Sequence, residues 1–344
     1  MRKVPVLLLV IALLATGCAS SASKAKGRSD VLRLGMFPNL THAPAYVALG
    51  EGIFDRVLAS TKVEVTYFNS GSDAQAAVTT GAIDATYIGP GPSISAYLTS
   101  EGSVAIVSGV TSGGASFVVR KGSGISTPED LHGKKIAVPG IGNTQDVALR
   151  TWLNEHGLQA KDAGGDVAVA AIDNPELLQN FRSGQVDGAW EPEPWPSYLI
   201  EQGVAEPFLD EATLWPDGRF VVANLLVNTV YMQAHPEVVK ELVRANVEAI
   251  RAIHEDPEEA KKVAQAGLIQ AGAPSLDQAV VDAAWSKLEF TWDPVPGSLE
   301  KDAKDAYALG MLAEDPGIIL AIYRLDDLNA ILDSLGEPAV ELPA

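Results

Sequence analysis

The chain has a single cysteine, Cys18, among its 344 residues. No disulfide can form within it, and no cysteine cluster can bind a metal. Basic residues are scarce: 25 Lys and Arg stand against 44 Asp and Glu, a formal net charge of −19. That deficit argues against nucleic acid and against an anionic membrane surface as partners. The one long apolar run, Val4 to Leu14, is shorter than the ~20 residues of a spanning helix. Catalytic signatures are missing as well. No His-Glu-x-x-His occurs, and no Ser-His-Asp spacing has a supporting context. The turn 140-GIGNTQ-145 has Gln145 where a dinucleotide fingerprint needs its third glycine, and it lacks the Gly-Lys-Ser/Thr of a phosphate loop. No cofactor and no metal are expected.

What is present begins with a leader. Arg2 and Lys3 precede the apolar run, and Ala15-Thr16-Gly17-Cys18 follows it. This is a secretory signal over residues 1–18. Its end resembles a bacterial lipobox, with Ala15 where leucine is more usual, so Cys18 is expected to carry lipid. A plain signal peptide cut nearby is the alternative. Residues 19–30, small and polar, read as a flexible tether. The remaining ~310 residues exceed one ordinary core and point to two lobes.

An internal duplication defines those lobes. Leu32, Leu34 and Met36 alternate as a strand, as do Val63, Val65 and Tyr67, and Ile83-Asp84-Ala85 leads into a third. Ile136 and Val138, then Val167, Val169 and Ala171, then Val186-Asp187-Gly188, repeat that order. TTGAIDATYIGPGP matches RSGQVDGAWEPEP element for element, and Gly81 and Gly184 each suit a left-handed helix C-cap. Two βαβαβ units imply two mainly parallel sheets covered by helices, an α/β fold. Lobe 1 is then residues 31–113 with 217–344, and lobe 2 is residues 114–216. Ser112-Gly113-Gly114-Ala115 suits a hinge between them. A strand is read at 220–228. A helical tail follows, with Val239, Leu242, Val243, Val247, Ile250 and Ile253 at helical spacing over 236–254 and its apolar faces expected to cover the first lobe.

Ligands gather beyond the carboxyl ends of parallel strands, which is where the loops of both units fall. The candidates are Asn39, Thr41 and His42; Ser70, Gly71 and Ser72; Pro90, Gly91 and Ser93; and Gly142, Asn143, Thr144 and Gln145. Four helix starts converging on one cleft would hold an oxyanion with N–H groups and hydroxyls, without lysine or arginine. Each has a bland alternative: Asn143 merely capping its helix, Asn39 shaping a turn, His42 a structural donor. Trp190 and Trp195, flanking 191-EPEP-194, would pack either a ligand's carbon body or the lobe core. Glu191 and Glu193 bring negative charge near this region. Asp84 and Asp187 lie at strand entrances, opposite the cleft.

LRLGMFPNLTHAPAYVALGEGIF, STPEDLHGKKIAVPG, GNTQDVALRTWL, the EPW at 193–195 and LEFTWDP at 288–294 occur in this order. With these motifs the chain resembles a type II periplasmic-type solute-binding protein of an ABC importer, in the nitrate/sulfonate/taurine branch. The resemblance covers nearly all of the mature chain. It implies a monomeric, lipid-anchored extracytoplasmic receptor with a helical C-terminal extension. Its partners would be a small-molecule ligand and the permease's transmembrane subunits, and it would meet the membrane only through its lipid. The resemblance implies a sulfonate-type ligand and gives weight to loop 140–145. Glu-Pro-Trp is frequent in the family, which implies that Glu193 hydrogen-bonds backbone or the other lobe. A Glu191 or Glu193 reaching the pocket would instead favour a cationic or amine-bearing ligand such as taurine or a pyrimidine. A nitrogen heterocycle, such as a thiamine-precursor pyrimidine or riboflavin, is the alternative ligand. Enzymes on this fold include a thiamine-pyrimidine synthase, whose activity depends on a cysteine-rich motif absent here, so no catalytic role is expected.

Overall fold

The computed structural model describes residues 29–343, so the leader, Cys18 and the tether up to residue 28 lie outside the described residues. Strands β1 (Val31–Met36), β2 (Lys62–Tyr67), β3 (Ala85–Ile88) and β4 (Val104–Gly113) come first. Next are β5 (Ala115–Arg120), β6 (Lys135–Val138), β7 (Ala168–Ala171), β8 (Gly188–Pro192) and β9 (Ala205–Asp210). The last are β10 (Val221–Asn228) and β11 (Leu288–Phe290). They build a six-stranded sheet, β11-β4-β10-β3-β1-β2, and a five-stranded sheet, β7-β6-β8-β5-β9. With helices between the strands, this is a two-sheet α/β architecture.

The duplication is visible in the pairing. Strands β2-β1-β3 run parallel, as do β7-β6-β8, and in each sheet the next neighbour is antiparallel, β10 beside β3 and β5 beside β8. The two aspartates do the same work in each copy. Asp84 N donates to Arg33 O at 2.8 Å and its Oδ2 accepts from Arg33 N at 2.8 Å. Asp187 N donates to Lys135 O at 2.7 Å, and its Oδ2 accepts from Lys135 N at 3.1 Å. Both clamps sit at the strand entrances. Gly81 and Gly184 have φ of 72° and 68°, left-handed as expected after their helices.

Two expectations need correction. Parallel pairing stops after three strands in each sheet, and the remaining pairs are antiparallel. Strand β4 escaped the sequence reading because all ten of its residues are buried, so it shows no alternation. The tail also reaches further than the first lobe. Helix Pro236–Glu255 buries its apolar stripe against helices Ala43–Gly50 and Ile53–Leu58, as its pattern requires. Helix Pro296–Ala308, however, packs on both Pro90–Thr99 and Thr144–Glu155, one from each repeat. Between the sheets the chain passes through Gly113 and Gly114, both at φ 75°. A Cβ at Gly113 would lie 2.7 Å from Lys287 O, a backbone atom, so space as well as backbone conformation requires glycine there.

Candidate functional site

The carboxyl ends of β1, β3, β6 and β8 face one another, and their loops interlock. Leu40 N donates to Glu193 O at 3.0 Å, and Gly91 N donates to Thr144 Oγ1 at 3.1 Å. Trp195 Nε1 donates to Asn39 Oδ1 at 2.8 Å. Each of these bonds joins one repeat to the other. Between the loops lies a cavity of about 50 Å³.

Of the predicted residues, Asn39, Thr41, His42, Gly71, Asn143, Thr144 and Gln145 line this cavity. Lysine and arginine are absent from the lining. His42 is neutral: burial lowers its pKa to about 3. Its Nδ1 accepts from Phe37 N at 3.3 Å, which leaves the proton on Nε2 and makes that nitrogen a donor. Asn143 occupies the N-cap position of helix Thr144–Glu155, yet its side chain makes no capping bond. Asp146 instead ties the preceding turn to the helix, its Oδ2 accepting from Gly142 N at 2.8 Å. The Asn143 amide lies instead against Gly71, where a Cβ would come within 3.1 Å of its Oδ1.

The other predicted residues lie away from the cavity lining. Ser70 Oγ accepts from Asp73 N at 3.3 Å and sits 3.3 Å from Ser72 Oγ, so both hydroxyls are occupied at an exposed helix start. Pro90 has no N–H, Gly91 spends its own on Thr144, and Ser93 Oγ donates back to Gly89 O at 2.9 Å. That third helix start is a lobe-to-lobe seam rather than a donor nest. Gly142 and Gly91 border a neighbouring cavity of about 60 Å³. Trp190 is core, stacked on Phe117 with ring centroids 5.4 Å apart. Trp195 is buried and reaches the cavity only through Asn39. Glu193 is fully buried and tied to Lys287 Nζ at 2.6 Å and Ser197 Oγ at 3.0 Å, which makes it a structural node.

Sequence reasoning missed Phe37, Asn69, Gly89, Pro92, Pro139, Asn174, Pro192 and Val222 in the lining. The duplication held a signal for Asn174. It follows β7 as Asn69 follows β2, and both sit at the end of the second strand of a repeat. Val222, inside the continuously buried strand β10, gave none.

Comparison with known proteins agrees with this fold. A family model described as the NMT1-like family matches residues 25–268. The taurine-binding periplasmic protein of Escherichia coli K12 is 27% identical over 207 residues, 60% of this chain and 62% of that protein. The chain thus matches less than two thirds of that relative's length. Among solved structures, the alkanesulfonate-binding protein SsuA of Xanthomonas axonopodis pv. citri, bound to MOPS, superposes with a TM-score of 0.73 at 20% identity, covering 87% of this chain and 99% of that one. The periplasmic nitrate-binding protein NrtA of Synechocystis PCC 6803 gives 0.77 at 17% identity, with 90% of each chain covered. At these identities the two structures establish the fold.

Proposed function

Because the chain belongs to the NMT1-like family, we propose that it is the extracytoplasmic solute receptor of an ABC importer, binding a small organic sulfonate or related oxyanion. Cys18 would carry the lipid that holds it to the membrane, and the closed receptor would present its ligand to the permease's transmembrane subunits without transforming it. The observation that carries this reading is the cavity itself. Asn39, His42, Asn143, Thr144, Gln145 and Asn174 surround it with neutral donors at the start of helix Thr144–Glu155, and no cationic side chain joins them. An anion held by such donors is selected by geometry rather than bulk charge. In this reading residues 31–113 with 217–344 and residues 114–216 are the two moving bodies. Gly113 and Gly114 form one crossing between them, and the segment before β10 forms the other. Closure then shifts a population between open and closed forms.

Titration calorimetry and thermal melts with nitrate, methanesulfonate, taurine and a pyrimidine test the reading. At least one oxyanion is expected to bind and be recovered chemically unchanged, stabilising the fold by about 2.7 kcal/mol at a hundredfold excess over Kd. No heat and no melting shift with any oxyanion at millimolar levels would refute the ligand class.

A further inference from the structure

Behind the cavity stands a carboxyl group with no part in the reading so far. Glu191, on β8, is fully buried, and its Oε1 has no hydrogen-bond partner. Its Oε2 lies 3.0 Å from the side-chain amide of Asn174. That amide lies in turn 3.1 Å from Asn39 Oδ1, which also accepts from Trp195 Nε1 at 2.8 Å. Asn39 and Asn174 both line the cavity. A relay therefore runs from a buried acid to the ligand space, and it crosses from one repeat to the other between Asn174 and Asn39.

We propose that Glu191 is a positioning residue whose protonation decides whether this relay offers the ligand a donor or an acceptor. The inference rests on the oxyanion reading above and adds a condition to it. With Glu191 neutral, its O–H donates to Asn174 Oδ1, and Asn174 Nδ2 is left pointing at Asn39 Oδ1 while standing 2.9 Å from Trp195 Nε1, a second donor. Trp195 donates to the same oxygen. Asn39 Oδ1 is then fully engaged, and Asn39 Nδ2 is free to meet an anion. With Glu191 ionised, the carboxylate only accepts. Asn174 must turn to donate to it, which places Asn174 Oδ1 2.9 Å from Trp195 Nε1 and 3.1 Å from Asn39. Asn39 must then turn to donate as well, and its Oδ1 faces the cavity, where lone pairs repel an anion. One proton inverts the polarity of the lining.

The surroundings favour the neutral acid. Burial raises the Glu191 pKa well above the ordinary carboxylate range. The ionisable groups nearby are engaged elsewhere. Trp190 and Glu191 point to opposite faces of β8, and Glu211, its own pKa pushed up to about 7 by burial, accepts from Trp190 Nε1. Glu193 is held by Lys287. Asp173 and Glu176, flanking Asn174, are half-buried and exposed. Ser116, directly across on β5, is uncharged, and its Oγ lacks a partner. His42, on the facing loop, is neutral.

The test compares the whole protein with Glu191→Gln, whose amide N–H₂ replaces the acid's O–H and cannot ionise. Nitrate and methanesulfonate, anions at every pH used, are titrated from about pH 5.5 to about pH 8.5. Wild-type affinity is expected to fall as pH rises through the raised Glu191 pKa, about tenfold per pH unit above it, while the variant keeps the low-pH affinity throughout. Superimposable pH profiles, or a variant already weak at the acid end, would overturn the proposal. Should neither protein bind either anion at any pH, the ligand class fails, and ligand-free melting decides on Glu191 alone. A folded-state pKa raised above the unfolded value stabilises fully at low pH, and that contribution is lost as pH rises through the folded pKa. The wild type is therefore expected to lose melting temperature relative to the variant as pH rises, and parallel curves would overturn the assignment.

Discussion

Gly91→Ala is expected to weaken ligand binding about tenfold to a hundredfold while leaving each lobe folded. A Cβ at Gly91 would stand 2.7 Å from Thr144 N, 3.0 Å from Asn143 C and 3.1 Å from Thr144 Cα. All three are backbone atoms of the opposite repeat, so no side chain can swing aside. Overpacking of this kind costs ~1–3 kcal/mol, and here the lobes relieve it by staying apart. Within its own helix, Pro90–Thr99, alanine is a better residue than glycine by ~1 kcal/mol. Stability and affinity should thus move in opposite directions, a combination that simple misfolding does not give. Small-angle scattering with saturating ligand would show the variant more open than the wild type. An unchanged Kd would mean that the Gly91–Thr144 seam is not part of closure.

The second large effect concerns stability. Lys287→Ala should cost ~3 kcal/mol of unfolding free energy, because it leaves a fully buried carboxylate without its cation. Glu193 ties three parts of the fold together. Its N–H donates to Gly114 O at 2.8 Å, its carbonyl accepts from Leu40 N at 3.0 Å, and its carboxylate holds Lys287 just ahead of β11. Lys287 is itself 27% exposed, so the loss falls at the lower end of the range for buried pairs. The double variant Glu193→Gln with Lys287→Met, which removes both charges, should recover most of it. Denaturant unfolding measures all three proteins, and a single-variant loss below ~1 kcal/mol would show that Ser197 and the backbone suffice to hold Glu193.

The duplicated halves were legible because small residues with special duties recur in both, Gly81 with Asp84 and Gly184 with Asp187. The buried strand β4 was not, since a run buried on both faces carries no period. In the cavity, types were easier to read than duties. Asn143 and Asp146 both suit a helix start, and only the fold shows that Asp146 holds Gly142 N while Asn143 faces Gly71. The same holds for 190-WEPEPW-195. Strand alternation separates Trp190 from Glu191, but one sequence does not say which face is core. Tertiary packing put Trp190 in the core, Glu191 behind Asn174 and Glu193 against Lys287. The proline-started helix at Pro90 misled for a physical reason: its first free N–H closes the seam instead of facing the cavity.

The most direct test is a crystal structure of the protein with methanesulfonate. Its oxygens should lie within hydrogen-bond distance of Asn39, Asn143 and the start of helix Thr144–Glu155, with no lysine or arginine in contact. A sulfonate bound on an outer surface, or held by a cationic side chain while the 39–42 and 140–145 loops stand empty, would contradict the idea that the two repeats close on an anion with neutral donors.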